Sequence, residues 1–238
     1  WSEWQMKNLN AIVWLYRAEK SKYQHLLEEY LEAIRDKTQT AIEQAEILSK
    51  MLPDRFSNDI NIACGTVKSI VKDVIIGNLD ELKGALDALR YATDHAEGDT
   101  IKYADSLSKD DRKQIAADFG AKTYREYEKH IEIDAALSAQ YVEDVNLIIK
   151  EANWLTEKFG DGEYKDVLGL CKCASRAEIA EKGYSLTPGA YVGVKPIKDD
   201  GVNFATRMKG IHSELLALQA ESNELMDAIS KNMKEMGL

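Results

Sequence analysis

Along the first third of the chain, apolar and small residues fall at Leu27, Leu31, Ile34, Thr38, Ala41, Ala45, Leu48 and Leu52, in alternating steps of four and three. That spacing returns to one helical face every 3.5 residues and predicts a long helix with a coiled-coil-like seam. "MLPDRF" ends it at Pro53. A second apolar pattern, Val67, Ile70, Val71, Val74 and Ile75, runs to Gly77-Asn78, which reads as a break, and Leu79, Leu82, Leu86 and Leu89 restart the period. Ser108 with Asp111 three places on is a capping pattern that opens another helix. After Gly120 a long segment follows through Leu137, Tyr141, Val145, Ile148, Ala152 and Leu155, and stops at "FGDGEY". The most regular stretch is the last, Asn203 to Met236, where Phe204, Met208, Ile211, Leu215, Leu218, Ser222, Leu225 and Ile229 again step by four and three. Such a helix is about 50 Å long, more than a small domain covers, so part of its stripe is expected to belong to a partner helix. Ser222 weakens the seam and can set register.

These patterns predict an all-α fold: an elongated helical bundle or set of coiled-coil hairpins, a small extended element near 184–194 and a long C-terminal helix. Three regions are expected, a helical body and insert (1–160), a clasp of loop and short strand (161–202) and the heptad helix (203–238). The clasp rests on "GYSLTPGAYVGV", where proline and clustered glycine interrupt a sequence otherwise written in helix. Thr187-Pro188-Gly189 reads as a turn with Gly189 free to take a positive φ, and Ala190 to Val194, with Tyr191, Val192 and Gly193, as a short extended run. Tyr184, Leu186, Tyr191, Val192 and Val194 are expected to pack on the helical body and so to fix where the terminal helix leaves it.

Composition narrows the function. A formal charge of −10 argues against a chain that wraps nucleic acid by itself, since that affinity comes from Lys and Arg neutralising phosphates. No apolar run approaches the roughly 20 residues of a membrane helix. Three cysteines, Cys64, Cys171 and Cys173, make no disulfide framework and suggest a reducing, cytoplasmic compartment. The first residue is Trp1 rather than Met, and the expectation is a segment of a longer protein.

Chemistry is mostly missing from the pattern. His25, His95, His130 and His212 follow Lys22, Ala92, Tyr127 and Lys209 at three places, so the Glu-x-x-His pair of di-iron bundles is not there, and no metal site is expected. There is no nucleophile elbow, phosphate loop or dinucleotide fingerprint. The Cys171-Lys172-Cys173 run is the one group that could support a reactive thiol, against the plainer reading of small apolar side chains.

The stretch "YKDVLGLCKCASRAEIAEKGYSLTPGAYVGV", the spacer "KPIKDDGVNF" and the terminal heptad helix together resemble the C-terminal end of the modification (M) subunit of type I restriction-modification systems. "NLNAIVWLYRAEKSKYQHLLEEYL" is similar to the segment that follows the methyltransferase domain in that family. The middle, about 50–159, matches only as a helical insert. Two departures stand out: Ala190 where the family usually has arginine in "TPGRYVG", and Ala18 where glycine usually follows "LYR".

The resemblance implies a parent subunit that methylates adenine N6 in DNA with S-adenosylmethionine, together with a specificity (S) subunit that reads the DNA and a restriction subunit for cleavage. This chain lacks the adjacent prolines of the N/D-P-P-Y/F motif, so no cofactor and no catalytic residue are expected in it. By the same resemblance, Phe204, Met208, Ile211, Leu215, Leu218, Leu225 and Ile229 are the expected seam for the S subunit, with other M and restriction subunits reached through it and DNA contacted only indirectly. Two alternatives stay open: a self-associating coiled-coil scaffold, homodimeric through the C-terminal helix, and a helical enzyme using Cys171 and Cys173.

Overall fold

The computed structural model of the chain describes residues 1–194 and 204–235. Two compact units are formed, Trp1–Tyr184 and a second that begins at Ser185. The first holds α1 (Glu3–Tyr16), α2 (Lys20–Met51), α3 (Asp54–Lys72), a 3-10 turn (Ile76–Asn78), α4 (Leu79–Ala104), α5 (Lys109–Asp118), α6 (Tyr124–Phe159) and α7 (Arg176–Glu181). The second holds α8 (Gly189–Val192) and α9 (Phe204–Glu235). No strand occurs among the described residues. The fold is all-α.

α1, α5 and α6 start where a short polar side chain satisfies one of their first free N–H groups. Ser2 Oγ accepts from the Gln5 N–H at 3.2 Å, Ser108 Oγ from that of Asp111 at 3.2 Å and Thr123 Oγ1 from that of Glu126 at 3.1 Å. Pro53 caps α3, where its missing N–H costs nothing. At the break read from Gly77-Asn78, Asn78 Oδ1 accepts from the Ile75 N–H at 2.8 Å and holds the turn into α4.

Four helices carry the core. α2 packs on α3, α3 on α4, α4 on α6, and α6 closes back on α2, giving an up-down-up-down four-helix bundle. Polar pairs along the seams record the antiparallel register. Asp80, Asp87 and Arg90 of α4 meet Asn153, Asn146 and Glu143 of α6 at 2.7, 2.9 and 3.2 Å, one number rising as the other falls. Gln44 of α2 donates to Asp134 of α6 at 2.9 Å. Between the helices Ile34, Ile42, Leu48, Ile60, Leu82, Leu86, Leu89, Ile131 and Val142 are fully buried. Burying one such side chain is worth roughly 1.5–3 kcal/mol.

The periodicity located most of this core. Ile34, Thr38, Ala41, Ala45, Leu48 and Leu52 are buried, as are Leu79, Leu82, Leu86 and Leu89. Two places differ. In the first half of α6 the buried face is Ile131, Ala135, Ser138 and Val142, one position off the expected Leu137 and Tyr141, which are exposed and half-buried. Ile75 lies past the end of α3 and is exposed, because the chain has already left the helix at Lys72.

A larger correction concerns the clasp. The Ala190–Val194 run is not extended: Gly189–Val192 is a single helical turn, with Pro188 at its N-cap in helical conformation (φ −55°, ψ −39°). Proline sets φ near −65° and suits a helix start as well as a turn. The positive φ falls on Gly193 (70°), which ends the turn, and not on Gly189. Tyr191 donates its hydroxyl to the Ser185 carbonyl across the turn. Upstream, Val167 and Cys171 exchange both backbone hydrogen bonds, at 2.9 and 3.0 Å, in an isolated antiparallel bridge.

Candidate functional site

α9 is a continuous helix of 32 residues, about 48 Å long. Every described side chain on it is exposed. The seam expected from the heptads is therefore open: Met208, Ile211, Leu215, Leu218, Leu225 and Ile229 all face solvent, Leu215 being 59% exposed. Leu216, Met226 and Met233 are exposed beside it. The structure thus places six of the seven expected seam residues on one helix with their apolar surface uncovered; the side chain of the seventh, Phe204, and the spacer 195–203 lie outside the described residues. Within the helix Gln219 donates to Asn223 at 3.1 Å.

Of the clasp residues, Tyr184, Leu186 and Val194 are exposed, and Tyr191 and Val192 half-buried. Ser185 Oγ lies 3.3 Å from Thr187 Oγ1 and bonds the Thr187 N–H at 3.4 Å, organising the approach to Pro188 and Gly189.

The other place of interest is the end of the bundle where the two segments of family resemblance meet. α1 packs there on α2 and α6. Tyr30 donates its hydroxyl to Asn8 Oδ1 at 2.9 Å, and Asn8 Nδ2 donates to the Glu151 carbonyl at 3.0 Å, so one buried amide ties three helices. Trp4 stacks on the Tyr30 ring, 4.3 Å between centroids. Lys7 pairs with Glu29 at 2.9 Å and with Glu3 at 3.1 Å, and the hydrogen bond it donates to Glu29 leads in raising its pKa. Tyr23 donates to the Gly160 carbonyl at 3.0 Å. Burial, with the Asp161 charge behind it, pushes the Tyr23 phenol up to about 12.

Beside this, Tyr16 of α1 meets Tyr164 edge to face at 5.5 Å. A cleft of about 290 Å³ opens there, lined by Ile12, Val13, Tyr16, Tyr164, Lys172 and Cys173. Lys172 pairs with Glu178 at 2.6 Å; that bond, with those from Ser175, holds the Glu178 carboxyl down at about 2. Sequence reasoning did not join these two segments, since nothing in either one says that the ends of a helical insert close on each other.

No cluster of three His, Cys, Asp or Glu side chains that could hold a metal occurs among the described residues. Cys64 is buried, and burial, with Glu46 adding to it, pushes its thiol up to about 11. Cys171 is half-buried and Cys173 exposed, so the plainer reading of that pair as buried apolar groups holds for neither in full. All four histidines are on the surface. No helix among the described residues is long and apolar enough to cross a membrane.

No family model matches the chain, and no solved structure does. Two curated proteins are similar to part of it. The type I restriction enzyme MjaIX methylase subunit of Methanocaldococcus jannaschii is 43% identical over 82 residues, 33% of this chain and 14% of that protein. The type I restriction enzyme HindI methylase subunit of Haemophilus influenzae is 40% identical over 74 residues, 31% of this chain and 17% of that protein. The chain thus spans a small part of the length of the relatives it matches. Over about a third of its own length it is a relative of the methylase subunits of type I restriction enzymes, as the motifs at its two ends imply.

Proposed function

We propose that this chain is the assembly region of a type I methylase subunit, and that it docks on the helices of the specificity subunit through α9. The observation that carries the reading is the open seam: a long helix that leaves Met208, Ile211, Leu215, Leu218, Leu225 and Ile229 in water has an apolar stripe made for another helix. Apolar surface of this extent on a terminal helix marks an interaction site. The net charge of −10 suits a helical protein partner better than DNA. In this reading the chain supplies placement: adenine methylation and S-adenosylmethionine belong to a catalytic domain elsewhere in the parent subunit, DNA is met through the specificity subunit, and the assembly works in the cytoplasm. Other M subunits and the restriction subunit join through the same hub. The segment around Pro188 sets the start of the spacer that leads to α9.

The test is size-exclusion chromatography with light scattering, on the chain alone and mixed with the specificity subunit encoded beside its parent gene. A stable mixed complex is expected, lost in the Leu215→Glu, Leu218→Glu variant while the circular dichroism of the chain stays that of the wild type. A wild-type chain that ignores the specificity subunit, or a homodimer that excludes it, overturns the docking role.

A further inference from the structure

The apolar stripe of α9 comes in two blocks. Ile211, Leu215 and Leu218 stand on one side of a break and Leu225, Met226 and Ile229 on the other, all of them exposed. Between Leu218 and Leu225 the sequence reads "QAESNE", without a large apolar side chain. From one leucine to the next the helix rises by about 10 Å.

The break crosses the full width of the stripe. Ser222 holds the seam position itself, four residues after Leu218 and three before Leu225. Gln219 and Asn223 continue the flank that Leu216 and Met226 occupy in the two blocks, again in steps of three and four. All three polar residues are exposed. Gln219 Nε2 donates to Asn223 Oδ1 at 3.1 Å and so aligns the two amides. That bond uses the Asn223 oxygen, and the Asn223 N–H groups and the Ser222 hydroxyl are the donors left to the surface. An apolar partner would bury these groups unpaired, whereas a helix with hydrogen-bonding side chains at the same level meets them.

On the reading that α9 docks on the specificity subunit, we infer that Gln219, Ser222 and Asn223 are the polar layer that sets its register there. The partner surface then has two apolar blocks with a matching set of hydrogen-bonding side chains between them. The seam period alone does not fix register, because a slip of one heptad restores the same alternation of four and three. With the layer present, that slip drives Leu218 or Leu225 onto the partner's polar groups and buries Ser222 and Asn223 against apolar ones. One alignment is selected by what the others would strand.

The experiment is isothermal titration of the chain into the intact specificity subunit. The Ser222→Ala, Asn223→Ala variant keeps the volume and helical propensity of the layer and removes its donors, and is expected to raise the dissociation constant by about fivefold or more. The Ser222→Leu, Asn223→Leu variant makes the stripe continuous and is expected to bind about tenfold more weakly, although it adds apolar surface. Docking through the apolar seam alone predicts the opposite, a tighter complex. Circular dichroism checks that each variant is helical, and sedimentation equilibrium that the leucine variant is titrated as a monomer. An alanine variant within about twofold of the wild type, or a leucine variant that binds more tightly than the wild type, overturns this inference and leaves the docking reading standing. A wild-type chain that does not bind overturns both.

Discussion

Tyr30 and Asn8 face each other inside the protein, the phenol donating to the amide oxygen at 2.9 Å with both residues buried. The amide in turn donates to the Glu151 carbonyl at 3.0 Å. Asn8→Ala is expected to lower stability by about 1–3 kcal/mol, because it strands a buried hydroxyl and a carbonyl. Asn8→Asp should cost more, since a carboxylate would face the Glu151 backbone oxygen. Urea unfolding of the two variants checks the order, and a neutral Asn8→Ala would mean that water replaces the amide.

Ala18, which stands where glycine usually follows "LYR" in the segment it resembles, has a structural cost. It sits at φ 58°, just past the end of α1, where the Glu19 N–H reaches back to the Trp14 carbonyl at 2.8 Å and the Ala18 N–H to the Leu15 carbonyl at 3.0 Å. That is the closing turn glycine favours. Ala18→Gly is expected to raise stability by about 0.5–1 kcal/mol, the relief of the left-handed backbone less the extra freedom of glycine in the unfolded chain. A destabilised variant in thermal unfolding would contradict this.

Gly162 presents the converse. Its φ is 78°, and a Cβ there would lie 2.8 Å from Tyr23 Cδ1. Gly162→Ala should destabilise by about 2–4 kcal/mol, combining backbone strain with displacement of a fully buried ring. Tyr23→Phe, which keeps the ring, should not rescue it.

The buried phenols set an alkaline limit. Tyr23, Tyr30 and Tyr127 all have raised pKa values, burial being the main cause in each. The unfolded chain releases these protons near pH 10, before the native state does. Above that pH the unfolded state holds fewer protons, so stability falls. The phenols' contribution to stability should be constant below about pH 10 and be lost as the pH approaches 12, with the raised Cys64 thiol starting the decline somewhat earlier; urea midpoints and phenolate absorbance track it, and a midpoint at pH 11 equal to that at pH 8 would refute it.

Thiol accessibility separates the cysteines. Cys173 should react with an aromatic disulfide reagent in the native state, and Cys64 only after unfolding, because it is buried with a thiol pushed up to about 11. Reaction of Cys64 in the folded protein would require an opening that the packed bundle does not contain.

Helix positions were readable from spacing because burial in a bundle is decided by one face of each helix, and Leu79, Leu82, Leu86 and Leu89 announce theirs in the sequence. The α6 face was misplaced by one residue at Leu137 because Ser138 is the buried position there, and a small polar residue leaves no hydrophobic mark. Proline and glycine around 188–193 signal a chain reversal without saying whether the residues between them coil or extend, and a single helical turn satisfies both. Long-range pairs such as Asn8 with Glu151 carry no local signature at all, since their partners are fixed by how the helices return. The seam of α9 was legible as a stripe too long for a small domain to cover, and its described side chains are exposed.

The closure of the chain at one end of the bundle has a bearing on how such proteins can change in length. Asn8, Tyr23 and Tyr30 on one side, with Glu151, Gly160 and Gly162 on the other, form a base that the far tip, between α2 and α3 and around α5, does not touch. Adding one heptad to each of the four long helices would move that tip outward by about 10 Å and leave the base in register. The helical insert is then a strut of adjustable reach, free to drift in sequence and size while the segments at its base keep their relation.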